Sequence, residues 1–162
     1  MAAAIPASIE DVTAQWMSAA TGWNITAVRN EIIGVGVGVA SAVYRSHLTG
    51  SGCPKSVIVK LPALDPNAVF TSAVLRMYIR EVKFFKTLAK EVPFRVSQSY
   101  YGEVNEETSQ FAMVVEDLGN LRIVVFFRPV ERGFAIFIGA LNDLIVDIGH
   151  IPHIGQLKTC MP

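Results

Sequence analysis

The sequence predicts an α+β protein: a five-stranded antiparallel sheet with one long helix after the third strand and another helix at the N-terminus. Residues 69–92 carry apolar side chains at helical spacing, whereas the segments before and after them alternate or form short apolar runs, as strands do. The expected strands follow one another too closely for the crossover helices that a parallel sheet requires. A chain of 162 residues can bury one core of this size.

The elements are bounded by capping and turn residues. Ser8, followed by Asp11, predicts the start of a helix over 8–20, and Thr21-Gly22 ends it. The long helix is expected to stop before Pro93. Five strands are predicted, over residues 23–33, 39–48, 56–61, 99–104 and 110–116.

The pattern changes near Leu121. We predict a first domain over 1–120 and a divergent or truncated C-terminal segment over 121–162 that ends in a poorly defined tail, because its apolar runs have no stable period. Two origins remain open for this change: a truncated or frame-shifted reading, or a divergent but genuine C-terminal cap.

Composition limits the classes of function. The chain has 14 Lys plus Arg and 14 Asp plus Glu, which argues against a basic nucleic-acid surface or recruitment to anionic membranes. The N-terminus lacks a basic segment followed by an apolar core, so we predict a cytoplasmic protein without a membrane span. Mean hydropathy is +0.40. We therefore also expect self-association or a partner that covers the apolar C-terminal segment.

Gly34, Gly36 and Gly38 alternate with valines in a strand-like context. A dinucleotide fingerprint would open a helix, and a Walker A loop would end in Gly-Lys-Ser/Thr, so the spacing excludes both. Two interpretations remain open. The segment is either a hairpin whose backbone covers nucleotide phosphates, or a strand with small residues at a bulge or a close packing contact.

Three further features suit nucleotide binding. Lys60 ends an aliphatic strand, where a lysine can hold phosphates, although a solvated lysine is common there. Glu81 in the long helix could keep that lysine extended, or be a surface acid paired with a neighbouring base. Glu116, Asp117 and Leu118 follow an apolar strand, where the backbone of a hinge could contact adenine.

Four runs in this order resemble the N-terminal lobe of small-molecule kinases of the aminoglycoside phosphotransferase and choline kinase-like group. The resemblance is greatest to the ecdysteroid-kinase-like branch and extends over residues 8–120. The matching runs are 33–45, 56–62, 80–85 and 114–119.

This resemblance implies a protein-kinase-like N-lobe that binds ATP. It assigns the phosphates to Gly34, Gly36, Gly38 and Lys60, the anchoring of that lysine to Glu81, and the adenine pocket to Glu116, Asp117 and Leu118.

The chain departs from the family in its second half. Members carry a His-Gly-Asp loop and a later metal-binding Asp, but no His-x-Asp occurs in this sequence. We therefore predict no catalytic residue and no metal ligand, and expect ATP binding to be weak or vestigial. Magnesium would be held only if a complete C-terminal lobe were present.

The sequence thus predicts the ATP-binding lobe of a phosphotransferase that phosphorylates a hydroxyl group, incomplete and catalytically incompetent as it stands. Whether the chain is an enzyme is left open. The alternative is a non-enzymatic interaction module that needs a partner to cover its apolar C-terminal segment.

Overall fold

A computed structural model describes residues 3–33, 40–92 and 95–119, together with the backbone of Arg122–Val130 and Gly133–Leu141. The chain divides into two units, Met1–Gly119 and Asn120–Pro162. The first unit combines a five-stranded antiparallel sheet with three α-helices, so the predicted α+β class is confirmed.

The sheet is a three-stranded meander extended by a hairpin. Its strands are β1 (Asn24–Ile33), β2 (Ser41–Ser51), β3 (Ser56–Pro62), β4 (Ser99–Val104) and β5 (Phe111–Glu116). The spatial order is β1-β2-β3-β5-β4, with every neighbouring pair antiparallel. The last of these five strands in sequence, β5, therefore lies inside the sheet, and β4 forms an edge.

The N-terminal helix is shorter than predicted. Ser8 and Asp11 do form a capping box, but it closes only a 3₁₀ turn over Ile9–Asp11. Helix α1 (Ala14–Thr21) starts after a second cap, Thr13, whose Oγ1 accepts a hydrogen bond from the amide of Trp16 at 3.2 Å. Gly22 ends it in the left-handed conformation, at φ +77°.

The single long helix predicted over 69–92 is wrong in both its start and its continuity. Helix α2 (Pro66–Val74) begins three residues earlier, because the Asp65 side chain caps it. Arg76 then adopts φ +54°, which breaks the path before α3 (Met77–Lys83) and the π-helical turn Phe84–Leu88 that follows it. Neither glycine nor proline marks the break, so apolar periodicity alone could not reveal it.

Side chains of the sheet are buried on both faces. Alternate residues of β3, including Val57 and Val59, join Met17 of α1 in one core cluster. The other face packs under α3. Its cluster comprises Tyr78, Val82, Phe111, Met113 and Val115. We call this second surface the α3 face; it positions the candidate site.

Gly50 in β2 has no room for a side chain. A Cβ atom there would lie 2.1 Å from the backbone oxygen of Asn24. We expect Gly50→Ala to lower the free energy of unfolding by about 2 kcal/mol, because backbone must move. Urea denaturation measures this, with Gly102→Ala in β4 as the control, since the nearest atom to its Cβ would be at an ordinary contact distance of 3.7 Å. Equal losses in the two variants would contradict the steric explanation.

The second unit contains an antiparallel hairpin of β6 (Arg122–Val130) and β7 (Gly133–Leu141), in which Val125 lies opposite Ile138. The sequence predicts no element there, because these β-branched and aromatic runs lack strict alternation. The predicted tail beyond Leu141 lies outside the described residues. In the part of the chain that the structure describes, no helix has the length and apolar character needed to cross a bilayer.

Candidate functional site

Lys60 and Glu81 are brought together on the α3 face. Lys60 belongs to β3 and Glu81 to α3, and the lysine Nζ donates a hydrogen bond to Glu81 Oε1. The two side chains are 24% and 27% exposed, so the pair is partly shielded but open to solvent. Helix α3 is fixed in place by Tyr78 and Val82, which are almost completely buried against the sheet.

Lys60 lies in the sheet row in which the glycine-rich segment begins, with β2 between them. Neighbouring strands align Ile33 with Val43, and Val43 with Lys60. Since Ile33 is the last residue of β1, the connection from β1 to β2 starts in the same row of the sheet as the lysine. Gly34, Gly36 and Gly38 themselves lie outside the described residues, and their role stays a prediction.

Part of the α3 face remains accessible beside the ion pair. Strand alternation places Val43 and Ile58 on the same face as Lys60, and both are only half-buried. This leaves a small apolar floor beside the lysine: Val43 lies opposite Lys60 on β2, and Ile58 lies two residues before it on β3, opposite Val115 of β5.

Glu116 is tied into the protein by its side chain and its backbone. Its carboxylate accepts hydrogen bonds from Arg95 Nη2 at 2.7 Å and from the amide of Gln98 at 3.2 Å. Its own amide donates to the Gln98 carbonyl oxygen at 2.7 Å. The amide and carboxylate of Glu116 are therefore already engaged within the protein.

Asp117 is the most enclosed carboxylate of this region, with its side chain only 6% exposed. It accepts hydrogen bonds from Arg45 Nε at 2.8 Å, Ser56 Oγ at 2.7 Å and the Gly119 amide at 2.9 Å. Burial acts to raise the pKa of Asp117, but these hydrogen bonds and the charge of Arg45 outweigh it. The pKa is held below its ordinary value.

Sequence reasoning missed Arg45 and Ser56 as partners of Asp117. Alternation along β2 and β3 places both on the Lys60 face, and that signal was available. Their contact with Asp117 joins positions 72 and 61 residues apart, which no local pattern reports.

Leu118 is half-buried and follows immediately. Among the hydrogen bonds of the described residues, none uses its amide. The next residue, Gly119, has φ +60°, so the chain turns sharply after the predicted hinge.

The predicted site does not coincide with either of two surface depressions among the described residues. Two depressions of about 350 and 380 Å³ occur in the described residues, and neither is lined by Lys60 or Glu81. The same residues contain no group of three or more His, Cys, Asp or Glu side chains that could hold a metal ion.

Comparison with protein-family models, with curated proteins and with solved structures finds no significant match to this chain. The kinase resemblance therefore depends on the sequence runs given above.

Proposed function

We propose that the first unit is a nucleotide-binding lobe of the small-molecule phosphotransferase type, in which Lys60 contacts the phosphates of ATP. One observation carries the proposal. Lys60 is paired with Glu81 of a packed helix, in the sheet row where the glycine-rich segment begins.

The ion pair suits phosphate binding for a physical reason. Lysine is a flexible point charge, and a carboxylate partner on a fixed helix reduces the number of positions that its ammonium group samples. An ammonium group that keeps hydrogen-bonding capacity can then meet phosphate oxygens at a defined place. Partial exposure of both side chains leaves access for such a ligand.

The base would lie on the apolar floor of the α3 face. Val43 and Ile58 offer half-buried apolar surface beside the lysine, on β2 and β3. The amide of Leu118 and the carbonyl of Glu116 would supply the polar contacts that orient a purine.

The proposal is limited to binding. The chain contains no His-x-Asp sequence, and the resemblance assigns the catalytic aspartates to a second lobe. We therefore propose weak ATP binding without phosphoryl transfer by this chain. The alternative function, an interaction module, depends on apolar residues of 121–162 whose side chains lie outside the described residues, and it stays a prediction.

Isothermal titration of the full chain with Mg-ATP tests the proposal. We expect Lys60→Ala to weaken binding about tenfold or more, which corresponds to ~1.4 kcal/mol, because a charged contact to phosphate is lost. The matched control is Lys86→Ala, whose ammonium group pairs with Glu103 away from the site at 2.8 Å. Identical heats for the wild type and Lys60→Ala would contradict the proposal, as would an equal loss in the control.

A further inference from the structure

We propose that the side-chain cluster of Arg45, Ser56 and Asp117 is a positioning device that holds the Leu118 amide where it reads the base of a bound nucleotide. This inference rests on the proposed function and deepens it, because it assigns base selectivity to residues that lie away from the phosphate contact.

The cluster ties three strands to one carboxylate. Arg45 comes from β2 and Ser56 from β3, while Asp117 directly follows β5. Asp117 Oδ2 accepts from Arg45 Nε at 2.8 Å and from Ser56 Oγ at 2.7 Å. Because the carboxylate is 6% exposed, its charge needs these donors, and the chain cannot shift there without leaving it unpaired.

The second carboxylate oxygen holds the other side of Leu118. Asp117 Oδ1 accepts a hydrogen bond from the Gly119 amide at 2.9 Å, which closes a turn around the intervening residue. The residues on both sides of Leu118 are thus held by hydrogen bonds of the Asp117 carboxylate. The Leu118 amide itself has no hydrogen-bond partner among the described residues. A held and unused donor is the arrangement that ligand recognition requires.

The base end and the phosphate end of the site are separate. In the sheet register Lys60 lies opposite Met113, four residues before Asp117 along β5, or roughly 13 Å of extended chain. The charge of Arg45 is used by Asp117, whereas Lys60 lies in the sheet row of Ile33 and pairs with Glu81. Substitutions at the two ends should therefore affect different parts of a nucleotide.

A backbone N–H selects an acceptor on the base. Adenine offers the unprotonated ring nitrogen N1, whereas hypoxanthine carries a hydrogen on N1 and so presents a donor to a donor. An amide fixed opposite this position favours ATP over inosine triphosphate, because the wrong base leaves a desolvated N–H unpaired. A mobile amide loses most of that preference.

The test compares the dissociation constants of Mg-ATP and Mg-inosine triphosphate on the full chain. For the wild type we expect ATP to bind about tenfold more tightly. Asp117→Asn should bring the ratio of the two dissociation constants close to one. Lys60→Ala should weaken the binding of both ligands and leave that ratio unchanged. Arg95→Met is the matched control, because Arg95 pairs with the adjacent Glu116 in an exposed ion pair.

Two milder variants keep the test valid if Asp117→Asn folds poorly. Ser56→Ala removes one hydrogen bond, and Arg45→Lys keeps the charge but loses the planar donor pair. Both should lower the ratio by an intermediate amount. Hydrogen exchange without nucleotide should show faster exchange in these variants at the Gly119 amide, which donates to Asp117 Oδ1 in the wild type, while the buried amides of β5 stay protected.

The outcomes separate this inference from the proposed function. A wild type that binds ATP and inosine triphosphate equally, or variants that weaken both ligands by the same factor, would overturn the positioning role and leave nucleotide binding intact. A wild type that binds neither ligand would overturn the proposed function and this inference together.

Discussion

Replacing Phe111 by alanine is expected to lower the free energy of unfolding by about 3–5 kcal/mol, the largest loss we expect from any single substitution in this chain. Phe111 is completely buried at the start of β5. Its ring stacks on Tyr78 of α3, with ring centroids 4.1 Å apart and planes inclined by 12°. Truncation removes this aromatic contact and leaves a cavity under the helix that carries Glu81.

Urea denaturation followed by circular dichroism measures this loss. The matched control is Phe70→Ala in α2, because that phenylalanine is 71% exposed and should change stability by no more than about 0.5 kcal/mol. Comparable losses for the two variants would show that the stack does not anchor α3. Phe111→Leu should recover part of the lost stability, since it refills much of the cavity.

Asp117→Asn is expected to cost about 3 kcal/mol at neutral pH, because the substitution keeps the shape but leaves the Arg45 charge without its partner. The cost should depend on pH. Burial favours the protonated acid, but the hydrogen bonds from Ser56, Arg45 and the Gly119 amide dominate, so the pKa of Asp117 in the folded chain is lowered. The unfolded chain then binds this proton first as the pH falls.

The sign of the pH effect follows directly. Stability from ionised Asp117 is fully present above the ordinary aspartate pKa of about 4, and is lost as the pH falls through the lower value of the folded state. The gap between wild type and Asp117→Asn should therefore narrow below about pH 4. Asp65→Asn is the control, because asparagine caps a helix as well as aspartate does. A gap that stays constant from neutral to acidic pH would contradict this account.

The limits of strands could be predicted from the sequence where turn residues flank them. The predicted limits 99–104 coincide with β4, and β3 extends the predicted 56–61 by a single residue. Local chemistry decides such boundaries, since glycine, proline and asparagine interrupt apolar alternation. The break at Arg76 and the β6–β7 hairpin were not readable, because no residue type marks the first and no alternation marks the second.

The candidate site was likewise predictable from the sequence only in part. Lys60 and Glu81 were selected individually from their positions on a strand and a helix, and the structure brings them together. The Arg45–Asp117 contact depends on the register of three strands, which is a long-range property that one sequence does not contain. The register is defined only once the strands have paired.

The strand order also bears on how the chain emerges during synthesis. Strand β3 pairs with β5, whose residues follow more than forty positions later, so the β1–β2–β3 meander can form while β3 is still an unpaired edge. An exposed apolar edge invites pairing with other nascent chains, and a lysine on such an edge opposes it. Lys60 is the charged residue of that strand. This lysine would therefore protect the partly formed sheet from aggregation until β5 pairs with β3.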